Sequence, residues 1–158
     1  MLYASARSVR NEKSKQRFAL QDFSHLRISL VKGKSGWRIG SVESLENHYG
    51  QAADKAARGS VVNIYRWLRR FLKGEEPAGE LYNYSLLALK AVTKDIKSRS
   101  IVERIIELRV LTELGYVDIK KVPAVVMEQP NKIEGDISKT DEKIIEDLLS
   151  QAITSSHL

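Results

Sequence analysis

The sequence predicts an α+β protein in which a β-rich N-terminal part precedes a small all-α helical bundle. Apolar and polar residues alternate over residues 22–31, and a period of two is typical of a half-buried strand. From residue 49 to residue 114 apolar side chains recur every three or four positions, which indicates amphipathic helices. Residues 1–40 also carry a net charge of +7, whereas the whole chain carries +6.

The composition is that of an ordinary globular protein. Its 158 residues are 42% hydrophobic and 29% charged, enough for a core and unlike a disordered chain. No run of eighteen apolar residues is present, which predicts no transmembrane helix. The first residues lack the apolar segment of a signal peptide, so we expect a cytoplasmic protein. The chain has no cysteine, which excludes disulfides and thiolate metal sites.

The β-rich part is predicted as a short strand, a loop and a hairpin. Residues 2–7 form the short strand, and residues 8–17 have few apolar side chains and are predicted as a loop. The glycine-containing turn at residues 32–36 connects the alternating segment to a second strand at residues 37–42. The alternating segment places Leu26, Ile28 and Leu30 on an apolar face and His25, Arg27 and Ser29 on a polar face.

The helical part is predicted as three helices joined by short loops, which favours a bundle. The first begins near Tyr49 and ends before Gly74, and the second spans residues 81–92. Ser100 is expected to cap the third helix and Gly115 to end it.

The C-terminal part lacks periodicity until its last helix. Residues 117–139 are predicted as irregular, with a short extended piece at residues 122–127. A helix at residues 140–153 has an apolar stripe that is expected to dock on the bundle. The expected domains are therefore a nucleic-acid-binding module at residues 1–45, a helical domain at 46–120 and a C-terminal segment at 121–158.

No catalytic or metal-binding motif is present. Gly33, Lys34 and Ser35 resemble part of a phosphate loop, but the glycine that a Walker motif needs five positions earlier is Ile28. The three histidines have no partners at ligand spacing, and His25 is most simply a surface residue. Nucleophile motifs are also missing. We therefore expect no enzyme, no metal and no cofactor.

The N-terminal cations are interleaved with aromatic residues, a composition typical of single-strand-binding grooves. Phe18 and Phe23 have apolar neighbours and are predicted to lie in the core, whereas Trp37 is a candidate stacking ring. The predicted DNA-binding residues are Arg7, Arg10, Lys13, Lys15, Arg17, Lys32, Lys34, Trp37 and Arg38. Such phosphate contacts position a nucleic acid without selecting its sequence.

Three stretches of the chain resemble the RecO family of bacterial recombination mediator proteins. Residues 2–24 are similar to the family's pattern A-x-G-x-R followed by S-x-x-R-x-x-L-Q-x-F, and residues 30–39 resemble its R-G-x-x-x-L-x-x-L hairpin. Residues 80–83 and 107–116 resemble the start of one family helix and the ELRLLxxLGY helix. The resemblance covers about residues 2–120.

This resemblance implies an N-terminal OB-fold, binding of single- and double-stranded DNA, and strand annealing. It also implies DNA repair in the RecF pathway, assisting RecA loading on DNA coated with single-strand-binding protein (SSB), together with RecR. Family members contact the acidic tail of SSB through the helical domain. The basic residues that could serve this contact here are Arg66, Arg69, Arg70 and Lys73, for which an ordinary solvated helix face is the simpler interpretation.

The chain departs from the family in two respects. It starts without the first two OB strands, so we expect an N-terminally shortened member or an incomplete sequence. It also lacks the four-cysteine zinc module of many members, so no zinc is expected. Two alternatives remain open: an RNA-binding OB-type protein, and a protein-interaction adaptor that uses the helical bundle.

Overall fold

The computed structural model describes residues 4–5, 14–34, 36–72, 79–94, 98–133 and 137–155. Its strands are β1 (Ala4–Ser5), β2 (Ser24–Gly33) and β3 (Gly36–Asn47). Its α-helices are α1 (Lys15–Ala19), α2 (His48–Gln51), α3 (Lys55–Phe71), α4 (Gly79–Val92), α5 (Arg99–Glu113) and α6 (Lys139–Ser155). Single turns of 3-10 helix lie at Ile119–Lys121, Ala124–Met127 and Pro130–Lys132. The protein is of the mixed α+β class, as the two periodicities predict.

Strands β2 and β3 form the predicted antiparallel hairpin. They pair from Gly33 opposite Gly36 at the turn to Ser24 opposite Asn47 at the base, so the second strand extends beyond the predicted residue 42. Both register shifts place the extra residue in β3, which therefore carries two bulges while β2 is regular. Strand β1 pairs in parallel with β3 beside Trp37, which gives the strand order β1-β3-β2.

Two local predictions in the first half of the chain are wrong. Residues 15–17, predicted as part of a loop, lie in the short helix α1. The helix predicted from Tyr49 is interrupted, because α2 ends at Gln51 and α3 begins at Lys55. The interruption arises at Asp54, whose carboxylate accepts a 2.7 Å hydrogen bond from the Ala57 N–H and so caps a new helix.

The core joins helices α3 to α6. Ile64, Leu108, Leu111 and Ile145 are fully buried within one apolar cluster. The stripe of α6 docks on α5, which confirms its predicted role. Val126 enters the same cluster from a 3-10 turn, so the extended piece predicted at residues 122–127 is wrong. The three-domain division stays a prediction.

The ends of α5 show one wrong and one confirmed expectation. The helix begins at Arg99, one residue before the predicted cap Ser100, and its cap residue Ser98 has a φ of 55°. The Arg99 guanidinium donates hydrogen bonds to carbonyls at the end of α4, 2.6 Å to that of Val92. Gly115 follows the helix with a φ of 78°, which favours glycine, as predicted. No helix in the described ranges is long and apolar enough to cross a membrane.

Candidate nucleic-acid interface

The turn between β2 and β3 presents cations on both faces of the hairpin. We call residues 32–34 and 36–38 the hairpin tip. Lys32 lies opposite Trp37, and Val31 lies opposite Arg38. Directly opposed residues share a face of the sheet, so Lys32 and Trp37 occupy one face and Arg38 the other. Lys34 lies in the exposed turn between them. A polyanion that approaches the tip from either face therefore meets a cation.

The Trp37 ring is not freely accessible to solvent. Its side chain is half-buried, and the Lys32 ammonium nitrogen lies 5.7 Å from the ring centroid in a cation–π contact. The sequence placed both residues in the candidate site but gave no indication of this contact. A base that stacks on Trp37 must share the ring with Lys32 or displace it.

The tip is closely packed around Arg38. A Cβ atom added at Gly33 would lie 3.3 Å from the Arg38 Nε, which is tighter than an ordinary contact. Because Gly33 lacks this atom, the Arg38 side chain can cross the end of β2. Arg38 also lies beside Ser5 of β1.

Helix α1 lies along β3 and adds an exposed cation. The Gln16 side-chain amide donates a 3.0 Å hydrogen bond to the Gly40 carbonyl, which joins α1 to the middle of β3. Arg17 is exposed on this helix. Phe18 is 71% exposed, so its predicted core position is wrong. A five-residue helix has too few positions to bury both Phe18 and its neighbours.

Several predicted contact residues lie outside the described residues, namely Arg7, Arg10 and Lys13. For Lys15 the backbone belongs to α1, and its side chain is outside what the structure describes. Lys32, Lys34, Trp37 and Arg38 lie together at the hairpin tip, and Arg17 lies on α1, which contacts β3.

Within the hairpin, no acidic residue lies beside these cations at the tip. Residues 30–40 contain no Asp or Glu. The acids of β3 lie nearer the base of the hairpin, and both are already paired. Glu43 accepts a 2.9 Å hydrogen bond from Arg27, and Glu46 lies 3.2 Å from the Lys90 nitrogen. The positive charge of the tip is therefore not neutralised by the hairpin itself.

A second basic feature lies on α3. Arg66 and Arg69 are exposed and line a groove of about 650 Å³ whose walls include Tyr65, Leu68 and Leu72. Asp22 also contributes to this groove and lowers its net positive charge. Arg70, predicted with them, extends over the Phe71 ring at 5.5 Å, and Lys73 lies outside the described residues. We call this the α3 groove.

Aromatic stacking beside the α3 groove was not predicted. Phe23 has a φ of 60°, and its ring stacks on Tyr49 at 5.5 Å between centroids. Tyr65 meets Phe23 edge to face, also at 5.5 Å, and the Arg58 guanidinium lies 5.6 Å from the Tyr49 ring. Phe23 packs against the core, which confirms its predicted position. The stack joins residues far apart in sequence, so periodicity alone carries no signal for it.

The histidines have surroundings that the sequence did not indicate. His25 lies at the surface, half-buried, and shares a 2.6 Å hydrogen bond with the Tyr82 hydroxyl that the sequence did not indicate. His48 is fully buried, and neither ring nitrogen has a hydrogen-bond partner. Burial lowers the pKa of His48 below 6.5, against the opposing effect of the Glu46 carboxylate. The described residues contain no group of three or more His, Cys, Asp or Glu side chains able to hold a metal ion.

One carboxyl group between α3 and α5 is also perturbed. Burial, reinforced by the nearby Glu103 charge, raises the pKa of Glu107 to about 7. Glu103 accepts a 3.1 Å hydrogen bond from the Asn63 side chain of α3. Glu103 and Glu107 lie where α5 contacts α3, and the hydrogen bond between Asn63 and Glu103 joins the two helices.

No protein-family model matches the chain, and no curated protein is significantly similar to it.

Proposed function

We propose that this chain is a DNA-binding recombination mediator that holds nucleic-acid phosphates without sequence preference at the hairpin tip and α1. The observation that carries the proposal is the arrangement of Lys32, Lys34 and Arg38 on both faces of an acid-free tip. Clustered cations bind a polyanion chiefly by releasing its counterions, and such binding needs no pocket.

The order of the strands supports an OB-type module. Strand β1 is parallel to β3, α1 lies between β1 and β2 in the chain, and β2 and β3 are antiparallel neighbours. We assign β1, β2 and β3 to part of an OB-fold barrel, with β2 and β3 as its last two strands, whose connecting loop is one of the loops that bind oligonucleotides. Under this assignment the hairpin tip is that loop. The two bulges in β3 provide the curvature that such a barrel requires.

The proposed mechanism requires positioning and no bond chemistry. Lys32, Lys34, Arg38 and Arg17 neutralise successive phosphates, and Trp37 offers its ring to an unstacked base. Neutralising two strands at one surface reduces their mutual repulsion and so favours annealing. In the cell this activity would assist RecA loading on SSB-coated single-stranded DNA in the RecF pathway, with RecR as a further partner.

A charge-matched pair of variants tests the site. The variant K32Q/K34Q/R38Q removes three tip cations, and K121Q/K132Q/K143Q removes three exposed cations elsewhere. If each tip cation meets one phosphate of single-stranded DNA, its loss costs about fivefold in affinity at 0.1 M salt, or about 10²-fold for three. We expect fluorescence anisotropy with a labelled 20-nucleotide oligo-dT to show this loss for the first variant alone. Equal losses in both variants would exclude the tip as the site.

RNA is the alternative ligand, because OB-folds accept either nucleic acid. Competition between DNA and RNA oligonucleotides of matched sequence separates the two possibilities. Preferential displacement of labelled DNA by unlabelled DNA supports the proposal, whereas preferential displacement by RNA supports the alternative. Partner capture that survives removal of residues 1–42 would favour the adaptor function.

We further propose that the α3 groove binds the acidic tail of SSB. The groove combines exposed Arg66 and Arg69 with an apolar wall formed by Leu68 and Leu72. An acidic peptide with apolar side chains could pair with the arginines and bury its apolar part. The variant R66E/R69E should abolish binding of an SSB-tail peptide while K121E/K132E should not. Unchanged peptide binding in R66E/R69E would overturn this assignment.

A further inference from the structure

Strand β2 has an open edge. It is the outermost strand of the sheet, and within the described parts of the chain no backbone group pairs with its outer side. Both bulges lie in β3, so β2 presents a regular row of donors and acceptors. We call residues 27–33 the free edge of β2. Seven residues of strand extend over about 23 Å. An edge of this length is a template for pairing with another extended chain.

The apolar face of the hairpin is only partly covered. Leu26, Leu30 and Val42 are half-buried, and Ile28 is 41% exposed. None of the residues of β2 and β3 is fully buried. A further strand beside β2 would place its own side chains next to Ile28 and Leu30 on this face. The free edge therefore has both main-chain groups and apolar surface to offer.

A cavity of about 710 Å³ lies at one end of the free edge. Ser24, His25 and Leu26 all line it, although successive strand residues point to opposite faces of the sheet. The cavity therefore lies beside the edge of β2 and not beneath one face. Its far walls are apolar residues of α3 and α4, including Leu68 and Leu81. A strand that pairs with the edge could place one large apolar side chain there.

The charge of β2 indicates which charged side chains a pairing strand would carry. Residues 24–33 contain Arg27 and Lys32 and no acid. The Arg27 side chain pairs with Glu43 of β3 and is still 72% exposed, and Lys32 is exposed on the opposite face. Pairing β2 with a second copy of itself would bring four cations together. An acidic strand would instead oppose each cation with a carboxylate.

We propose that the free edge of β2 binds an extended, acidic and apolar peptide segment of a partner protein as a fourth strand. Main-chain hydrogen bonds hold the segment, its acidic side chains meet Arg27 and Lys32, and an apolar anchor fills the cavity beside Leu26. This surface overlaps the proposed phosphate contacts at Lys32, whereas Arg27 and the cavity beside Leu26 lie outside them.

Designed peptides are used to probe the free edge of β2. For antiparallel pairing its sequence is Glu-Val-Val-Thr-Val-Glu-Phe, which opposes the acids to Lys32 and Arg27 and the phenylalanine to Leu26. The reversed sequence probes parallel pairing. Two further peptides have the sequence of the orientation that binds, with N-methyl groups on one or the other alternate set of amides, which removes main-chain donors and keeps every side chain. Binding to the full chain is measured by fluorescence anisotropy, and amide hydrogen exchange locates it.

We expect one of the first two peptides to bind and to slow exchange in residues 24–33, and the N-methylated form that blocks the paired amides to bind ~10-fold more weakly or worse. R27Q should weaken binding by about 2- to 5-fold, the range of an exposed ion pair, and K143Q should not. Failure of both orientations, or unchanged binding of both N-methylated peptides, would overturn the proposal. Concentration-dependent self-association that protects the same residues would identify a second copy as the occupant and also refute it.

Discussion

Replacing His48 with leucine is expected to remove a pH-dependent component from the free energy of unfolding. His48 is fully buried where the hairpin meets the helices, and its ring nitrogens have no partners. Glu46, His25 and Lys90 act on it electrostatically from β3, β2 and α4, and the Tyr65 ring of α3 lies 6.4 Å away. Leucine fills most of the same space and needs no hydrogen bond.

The direction of the effect follows from the lowered pKa. Below pH 6.5 the unfolded chain binds a proton at His48, whereas the folded chain binds it only below its lower pKa. Between these two values the free energy of unfolding should fall by up to ~1.4 kcal/mol for each pH unit of acidification. The stabilisation from a neutral His48 is therefore fully present above pH 6.5 and is lost on acidification.

Glu107 contributes in the opposite direction. Its pKa is raised from 4.5 to about 7, so the folded chain retains a proton that the unfolded chain releases. That contribution to stability is present below pH 4.5 and is lost as the pH rises through about 7. The wild-type profile mixes both effects. The His48 effect is therefore obtained by subtracting the H48L profile from the wild-type profile.

The assay is urea denaturation followed by circular dichroism at half-unit steps from pH 5 to pH 8. We expect the wild type to lose stability relative to H48L below pH 6.5 and the two curves to be parallel above it. A difference that is constant across the whole range would refute the reasoning. E107Q is the matched variant, and its stability relative to wild type should increase with rising pH from 5 to 8.

Four further substitutions test the helical part by urea denaturation. R99A should lower the free energy of unfolding by ~1–3 kcal/mol, because two carbonyls at the end of α4 lose their donor. R104A is the control: its partner Glu146 is exposed, and the loss should be less than ~1 kcal/mol. Equal losses in the two variants would contradict this prediction. L108A should cost ~2–5 kcal/mol by opening a core cavity, and a cost below ~1 kcal/mol would show that the site is not packed. G115A should cost ~1–2 kcal/mol because the φ of 78° at Gly115 disfavours a Cβ atom. A stabilised variant would contradict the left-handed backbone conformation assigned to residue 115 after α5.

The sequence predicted those parts of the fold that depend on local periodicity. The alternation at residues 22–31 gave the hairpin, and the stripe of α6 gave its docking surface. The errors occur where a single side chain determines the residue at which a helix begins. Asp54 caps α3 and divides a helix that periodicity shows as continuous. Helix α5 begins at Arg99, one residue before the expected cap Ser100, and the Arg99 side chain bonds to the end of α4.

The candidate site was predicted as a set of residues and not as an arrangement. Charge counting identified Lys32, Lys34 and Arg38, since composition alone exposes the N-terminal excess. It could not assign Lys32 and Arg38 to opposite faces, because that depends on the register with β3. The burial of His48 and the stack on Phe23 depend on contacts between distant segments. No pattern in a single sequence encodes those contacts directly.

The salt dependence of binding to single-stranded DNA tests the central claim most directly. The affinity of the wild-type protein for a 20-nucleotide oligo-dT is measured from 50 to 300 mM KCl. If the tip, α1 and the preceding cations neutralise about five phosphates, the logarithm of the association constant should fall with the logarithm of salt concentration at a slope near −3.5. A slope close to zero, or no measurable binding at 50 mM KCl, would contradict the account.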